Sequence, residues 1–213
     1  MKVTLVCAAT ICGRISPVGY GSSLDRRRLE GIRDKTQASI MGANTLRTEN
    51  PEMRGTKGVL NPERIRSVIT GSGVIPVTGK KLFTHGPEPV VFTGEDKFSA
   101  LEAKLEGRGR VVALPVGPHG LSLAGALDFF AARNVQSVLI EGGARLNYAA
   151  LAQDVVDEIM LTVMPYVSGD HESNTLAEGP QCLGLPFLKL ELLSCEPLAT
   201  GEVFLHYRLK RTE

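Results

Sequence analysis

The sequence predicts an α/β protein in which a mixed, mostly parallel central sheet is flanked by helices and ends in a C-terminal antiparallel hairpin. Three observations carry this. From Val3 to Ala152, short β-branched runs alternate with helix-length amphipathic stretches. Two of those runs end in glycine, at Gly42 and at Gly142-Gly143, and pass straight into helix-favouring segments. Beyond Ala152 the pattern changes to strands, two of them arranged around the turn Pro197 to Gly201. With 213 residues and no linker-like stretch, a single domain over 1–213 is expected.

Val3 to Ala9 reads as a central strand closed by a turn at Gly13, so its carboxyl end is a candidate site rim. Ile15 to Ser23 is loop-like, with Tyr20 its only aromatic residue. Ser22 and Asp25 have capping-box spacing and open a helix from about Ser23 to Lys35. The run Arg26, Arg27, Arg28 cannot point one way on a helix and reads mostly as a solvated face, whereas Arg33 is the better candidate for a specific role. Ala38 to Gly42 is a short buried-type strand, and Ala43 to Glu49 a helix stopped at Asn50-Pro51. Strands follow at Arg66 to Thr70, Pro89 to Thr93 and Arg110 to Leu114, with a helix over Asp96 to Glu106.

Ser122 caps a helix running to Arg133, with Leu123, Leu127, Phe130 and Ala131 on one face. Val138 to Ile140 then forms a strand that leads through Glu141, Gly142 and Gly143 into a helix from Ala144 to Ala152. Val156 to Met164 is a long strand in a C-terminal third expected to be antiparallel, and Lys189 to Ser194 pairs with Glu202 to Leu209 as a hairpin.

Composition narrows the function. Lys and Arg number 24 against 23 for Asp and Glu, so no basic field awaits nucleic acid, and the expected partner is small. Met1-Lys2 leads directly into a strand-like run, so neither a signal peptide nor a membrane span is expected, and a cytoplasmic location is. Cys7, Cys12, Cys182 and Cys195 lack metal-ligand spacing and read as reduced thiols, so no metal is expected. The sequence holds no GxSxG, HExxH or GxxxxGK[ST] motif and no zinc deaminase signature. His85, His119, His171 and His206 are scattered and read as surface residues rather than bases.

The two glycine turns are the strongest chemical signal. Residues without Cβ let a ligand approach the main chain, and the free N–H groups and dipole of a following helix favour an anion. Phosphate sites without a strong nucleophile suit a reaction whose difficult step is supplied by a bound cofactor, and hydride transfer fits. GxGxxG is absent, so a nicotinamide dinucleotide here implies a fold other than the ordinary dinucleotide-binding one.

Taken together, Thr10-Ile11-Cys12-Gly13-Arg14, Ile32-Arg33, Met41 to Thr45 through Asn50-Pro51, Ile140-Glu141-Gly142-Gly143, and Val156-Asp157-Glu158 to Pro165 resemble the pyrimidine reductase of riboflavin biosynthesis. That family has a dihydrofolate reductase-like fold and forms the C-terminal reductase domain of the bifunctional deaminase-reductase. The resemblance spans nearly the whole chain. It implies NADPH-dependent reduction of the ribosylamino side chain of a phosphorylated aminopyrimidine to a ribitylamino chain, by a homodimer. With the deaminase signature missing, it implies a stand-alone reductase part.

Carried over position by position, the resemblance places cofactor phosphates on Gly42, Thr45 and the helix start formed by Gly142, Gly143, Ala144, Arg145, Leu146 and Asn147. It puts Ala8 under the cofactor, Tyr20 against it, Glu49 near the nicotinamide ribose and Ser72 on the adenosine side. A 2′-phosphate contact from Ser72 would favour NADPH over NADH. The resemblance assigns Arg33, with Met53 and Arg54, to the substrate, where a guanidinium suits a phosphate. It makes Glu141 the catalytic, substrate-contacting acid. Two positions depart from the family pattern: Cys12 stands where an aspartate is common, and Val6 where many bacterial members carry lysine. Both remove a charge from the site strand. A reductase of the same fold acting on another substrate such as a pterin, or a noncatalytic nucleotide-binding protein, therefore stays open.

Overall fold

The computed structural model describes residues 1–15, 21–184 and 187–210. Lys2–Thr10 forms β1, and Ser23–Asp34 forms α1, which starts where the Ser22 hydroxyl accepts the Asp25 backbone N–H at 2.9 Å. That contact satisfies one of the donors a helix start leaves open. Ala38–Gly42 (β2) runs directly into Ala43–Glu49 (α2), which ends at Asn50 in the left-handed conformation. Ile65–Thr70 (β3), Lys81–Thr84 (α3), Val90–Gly94 (β4), Glu95–Leu105 (α4) and Arg110–Leu114 (β5) follow. Val116–Gly117 (β6) and Gly120–Leu121 (β7) make a small separate hairpin. Neither that hairpin nor α3 was expected, because elements this short are below what hydrophobic periodicity can register.

Leu123–Ala131 is α5, capped by Ser122; Ala126 is buried in it where exposed Ala131 was expected. Ser137–Ile140 (β8), Ala144–Ala152 (α6), Glu158–Met164 (β9), Leu190–Pro197 (β10) and Val203–Leu209 (β11) complete the chain.

The sheet runs in the order β10-β11-β9-β1-β8-β2-β3-β4-β5. Every neighbouring pair from β9 to β5 is parallel, and β11 and β10 add an antiparallel margin. This corrects the expectation for Val156 to Met164. The chain returns through α6, so β9 enters parallel to β1 and is antiparallel only to β11. With a neighbour on each side, β9 has no free edge to pair with a second chain.

Alternation along the strands divides the core between the two sheet faces. Val3, Leu5, Val138, Ile140 and Ile40 belong to one cluster with Phe92 and Phe130, whose rings meet edge to face at 5.6 Å. The next residues along, Met41 and Val91, belong to a second cluster with Leu46, Leu101 and Leu105. Among the described residues, no helix is long and apolar enough to cross a membrane.

Candidate active site

The parallel strands β1, β2, β3 and β8 all deliver their carboxyl ends to one cavity of about 820 Å³, reached by Ala8, Gly42, Thr70 and Glu141. Open α/β sheets bind ligands at this edge, where the chain order of neighbouring strands reverses. The size lies within the usual range for small-molecule sites.

Two glycine turns form its floor. The Gly42 N–H donates to the Gly142 carbonyl at 3.2 Å, and a Cβ on Gly42 would stand 3.5 Å from that same oxygen. Gly142 and Gly143 have φ of 90° and 99°, backbone that side-chain-bearing residues rarely adopt. Gly143 starts α6 without a side-chain cap, which leaves the first N–H groups of a nine-residue helix for a ligand. Space is open where a Cβ of Gly142 would stand, and the Thr45 hydroxyl lies 3.6 Å from the corresponding point on Gly143.

Glu141 is built in at the margin of this floor, its side chain only 5% exposed. Arg33 grips it in a fork, Nε to Oε1 at 3.0 Å and Nη2 to Oε2 at 2.6 Å. The Ser39 hydroxyl also donates to Oε1, and Arg64 approaches that oxygen at 3.8 Å. Burial pushes the carboxyl up, but Arg33, Arg64 and Ser39 outweigh it and hold Glu141 below the usual carboxylate range. Arg64 in turn donates to the Arg33 carbonyl at 3.0 Å and to Ser39. The carboxylate therefore sits at the centre of a closed ionic network.

The residues expected to hold a cofactor come together. Ala8, Gly42, Thr45, Glu49, Ser72, Gly142, Gly143, Ala144, Arg145 and Leu146 all line the cavity. Ser72 serves its own turn as well, accepting the Val74 N–H at 3.3 Å. Asn147 is outside the lining, fully buried, with its Nδ2 donating to the Leu176 carbonyl at 2.7 Å. Tyr20 lies outside the described residues.

The residues expected at the substrate are divided. Glu141 lines the cavity; Arg33, Met53 and Arg54 do not. Arg33 is committed to Glu141 and to the Arg54 carbonyl at 2.9 Å. Met53 is packed in the core beside Leu46, and Arg54 pairs with Glu30 at 3.4 Å.

Several lining residues had no clear signal in the sequence: Cys7, Asp25, Leu29, Arg47, His119 and Asn174. His119 corrects the reading of the histidines as surface residues. The β6–β7 hairpin brings it to the cavity, edge-on to Tyr148 at 6.4 Å. Only the Gly117-Pro118-His119-Gly120 turn could have pointed to it. In the arginine run Arg26 and Arg27 are exposed, as expected of a mostly solvated face, and Arg28 is the exception, donating to Thr162 at 2.9 Å and stacking over Phe204.

The two departures separate. Val6 is in the cavity wall. Cys12 is exposed and outside it, its Sγ bonded to the Thr10 hydroxyl at 3.2 Å and to the Ser168 N–H at 3.3 Å. The Thr10 hydrogen bond, with backbone N–H groups of Gly169 and Ser168, lowers this thiol to about 7.

A mostly parallel sheet with a glycine-floored cavity at its carboxyl edge defines an α/β protein with a small-molecule-sized site. The comparisons with known proteins are specific. Residues 1–204 match the RibD C-terminal domain, and the chain belongs to that family of riboflavin-biosynthesis pyrimidine reductases. It is 25% identical over 183 residues to the 2,5-diamino-6-ribosylamino-4(3H)-pyrimidinone 5′-phosphate reductase of Methanothermobacter thermautotrophicus, covering 83% of each chain. To the Aquifex aeolicus reductase of the same name it is 31% identical, over 71% of this chain and 66% of that one. The crystal structure of a pyrimidine reductase-like protein from Corynebacterium diphtheriae shares the fold at a TM-score of 0.78 and 21% identity, covering 99% of this chain and 92% of that one.

Membership implies a nicotinamide cofactor. The cavity fits one: the open space above Gly142 and the uncapped start of α6 form a cradle that any Cβ at Gly142 would intrude upon.

Proposed function

We propose that this chain is an NADPH-dependent reductase of riboflavin biosynthesis, converting the ribosylamino side chain of a phosphorylated aminopyrimidine to a ribitylamino chain. The observation that carries the reading is the pairing of the uncapped α6 start with Glu141, held below the usual carboxylate range, at the border of the same cavity. The α6 N–H groups, Gly142, Gly143 and the Thr45 hydroxyl hold cofactor phosphates. Arg145, exposed on the first turn of α6, adds charge at the rim. The bound nicotinamide supplies a hydride.

Glu141 orients the substrate. A carboxylate has about four acceptor positions; Arg33 and Ser39 fill both on Oε1 and Arg33 one on Oε2, leaving one on Oε2 for a substrate N–H. Arg33 thus acts on the substrate through Glu141. Holding a reacting carbon in place in this way lowers a barrier without a covalent step.

The test is NADPH oxidation with 2,5-diamino-6-ribosylamino-4(3H)-pyrimidinone 5′-phosphate and with its deaminated uracil counterpart. A folded, NADPH-binding preparation that turns over neither defeats the reading. Val6 in the wall favours one alternative, a different substrate with less charge to match, and turnover of a pterin instead would establish it.

The homodimer implied by the resemblance is supported by exposed apolar residues beside the antiparallel margin, Phe187, Leu190 and Leu192. Sedimentation showing only monomer removes it. Four free cysteines support a cytoplasmic setting.

A further inference from the structure

Among the described residues three carboxyls line the cavity: Asp25, Glu49 and Glu141. Glu141 is held below the usual carboxylate range, which makes it a poor proton donor. Glu49 ends α2 and is exposed, and partial burial of its carboxyl raises it too. Asp25 is the less exposed of the two raised carboxyls. It occupies the third position of α1 and is partly buried, on the wall it shares with Val6, Cys7 and Leu29.

Its setting is unusual for a helix start. In a capping box the acid at this position reaches back to the backbone of the cap residue. Here the hydroxyl of Thr162 in β9 lies close enough to the Asp25 carboxyl to lower it. Thr162 is fully buried and accepts Arg28 Nη1 at 2.9 Å, which leaves its hydroxyl proton for another acceptor. Arg28 also donates to the Leu205 carbonyl at 3.3 Å and lies 4.3 Å over the Phe204 ring. These contacts bolt α1 to β9 and β11 and set the Asp25 carboxyl at the cavity wall, one turn earlier on the same helix.

We propose that Asp25 is the acid that protonates the substrate nitrogen as the adjoining carbon is reduced. This rests on the reductase reading above. Reducing the C=N bond of the opened sugar imine puts a hydride, from the reduced nicotinamide, on carbon and a proton on nitrogen. The hydride pair becomes the new C–H bond, while the C=N π pair takes the proton of the Asp25 carboxyl. The resulting carboxylate recovers a proton from water.

The surroundings suit that role. Burial raises the Asp25 carboxyl, Thr162 from β9 and Arg28 on its own helix lower it, and Glu202 just before β11 raises it; the upward influences prevail. Asp25 therefore keeps its proton to higher pH than an exposed aspartate. From β1, Cys7 faces it, and burial with the nearby Asp25 charge pushes that thiol up to about 12, too high to share the proton. Arg28 and Thr162 are positioning residues for Asp25.

The experiment compares wild type, Asp25→Asn, Asp25→Ala and Asp25→Glu with NADPH and the diaminopyrimidinone phosphate. Asp25→Asn is expected to lower kcat about 10²-fold or more, with NADPH affinity, read by fluorescence titration, within about twofold of wild type. Asp25→Glu restores part of the loss. Wild-type kcat falls as pH rises through the Asp25 pKa, and the Asn variant loses that limb. Added formate revives Asp25→Ala, which a merely structural role would not produce.

An active wild type whose Asn variant keeps its kcat and pH profile overturns the proposal and leaves the reductase reading standing. So does an Ala variant indifferent to formate, or a loss of NADPH binding in every variant. A wild type that binds NADPH but reduces neither pyrimidine overturns both.

Discussion

Glu141 and Asp25 border one cavity and are held in opposite ways. Glu141 is enclosed by two arginines and a serine hydroxyl, and its charge is fixed. Asp25 lies near Thr162 and Arg28, which are bonded to each other, and burial dominates its titration. The difference follows from where each residue sits. Glu141 follows a central strand, and β2, the residue just before β3 and α1 bring Ser39, Arg64 and Arg33 to it. Asp25 opens a surface helix and meets the sheet at β1 and β9. A charge held by an arginine fork is suited to orienting a ligand, and a carboxyl raised by burial is suited to exchanging a proton.

The largest effect is expected from breaking the fixed side. Arg33→Met leaves a buried carboxylate without its fork, which should cost about 3–5 kcal/mol of stability at neutral pH. The pH dependence has a definite sign. The folded-state pKa of Glu141 lies below its unfolded value, so its pairing stabilises the protein above the unfolded pKa, about 4.3, and this is lost as pH falls through the folded value. Urea denaturation should therefore show the Arg33→Met deficit shrinking towards acid pH, where Glu141 can protonate in both proteins. A deficit independent of pH would mean the loss is one of packing.

The same contrast marks what the sequence could reveal. The strand-glycine-helix units at Gly42 and Gly142-Gly143 were legible because β-branched runs, glycines and helix formers are local patterns. The residues that the resemblance added to those turns, Ala8, Thr45, Glu49 and Ser72, line the same cavity. The role of Arg33 was legible only as a candidate contact, since nothing local says that its fork closes on Glu141, distant in sequence. Asp25 read as a capping acid, because Ser22 three residues earlier is a sufficient local explanation. Its partner Thr162 lies on a strand reached through α6. His119 was hidden by a hairpin whose strands have two residues each. Long-range pairing and short irregular elements leave no periodic trace.

An intermediate effect probes the floor between the two carboxyls. Gly142→Ala should cost about 1–2 kcal/mol, because φ of 90° is strained for any L side chain. No atom lies within 4 Å of the new Cβ, so the fold should accommodate it. The methyl group enters the space left for the ligand, and NADPH affinity should fall by about tenfold or more, roughly 1.4 kcal/mol. Fluorescence titration beside thermal unfolding separates the two quantities. Full affinity in a destabilised variant would move the phosphates away from this turn.

The smallest expected effect has the opposite sign. The folded-state pKa of Asp25 is raised by burial, so ionising it costs the folded protein more than the unfolded chain, at every pH above the unfolded value. Asp25→Asn keeps the size of the side chain and removes the charge. It should leave the protein slightly more stable than wild type at pH 8, by under about 1 kcal/mol, with the difference vanishing below about pH 4, where wild-type Asp25 is also neutral. Together with a loss of turnover, this would be the signature of a residue kept for chemistry at some cost to stability. Urea midpoints at the two pH values decide it. A destabilised Asn variant at pH 8 would instead place Asp25 beside Glu141, as a second charge the fold depends on, and the contrast between the two walls would disappear.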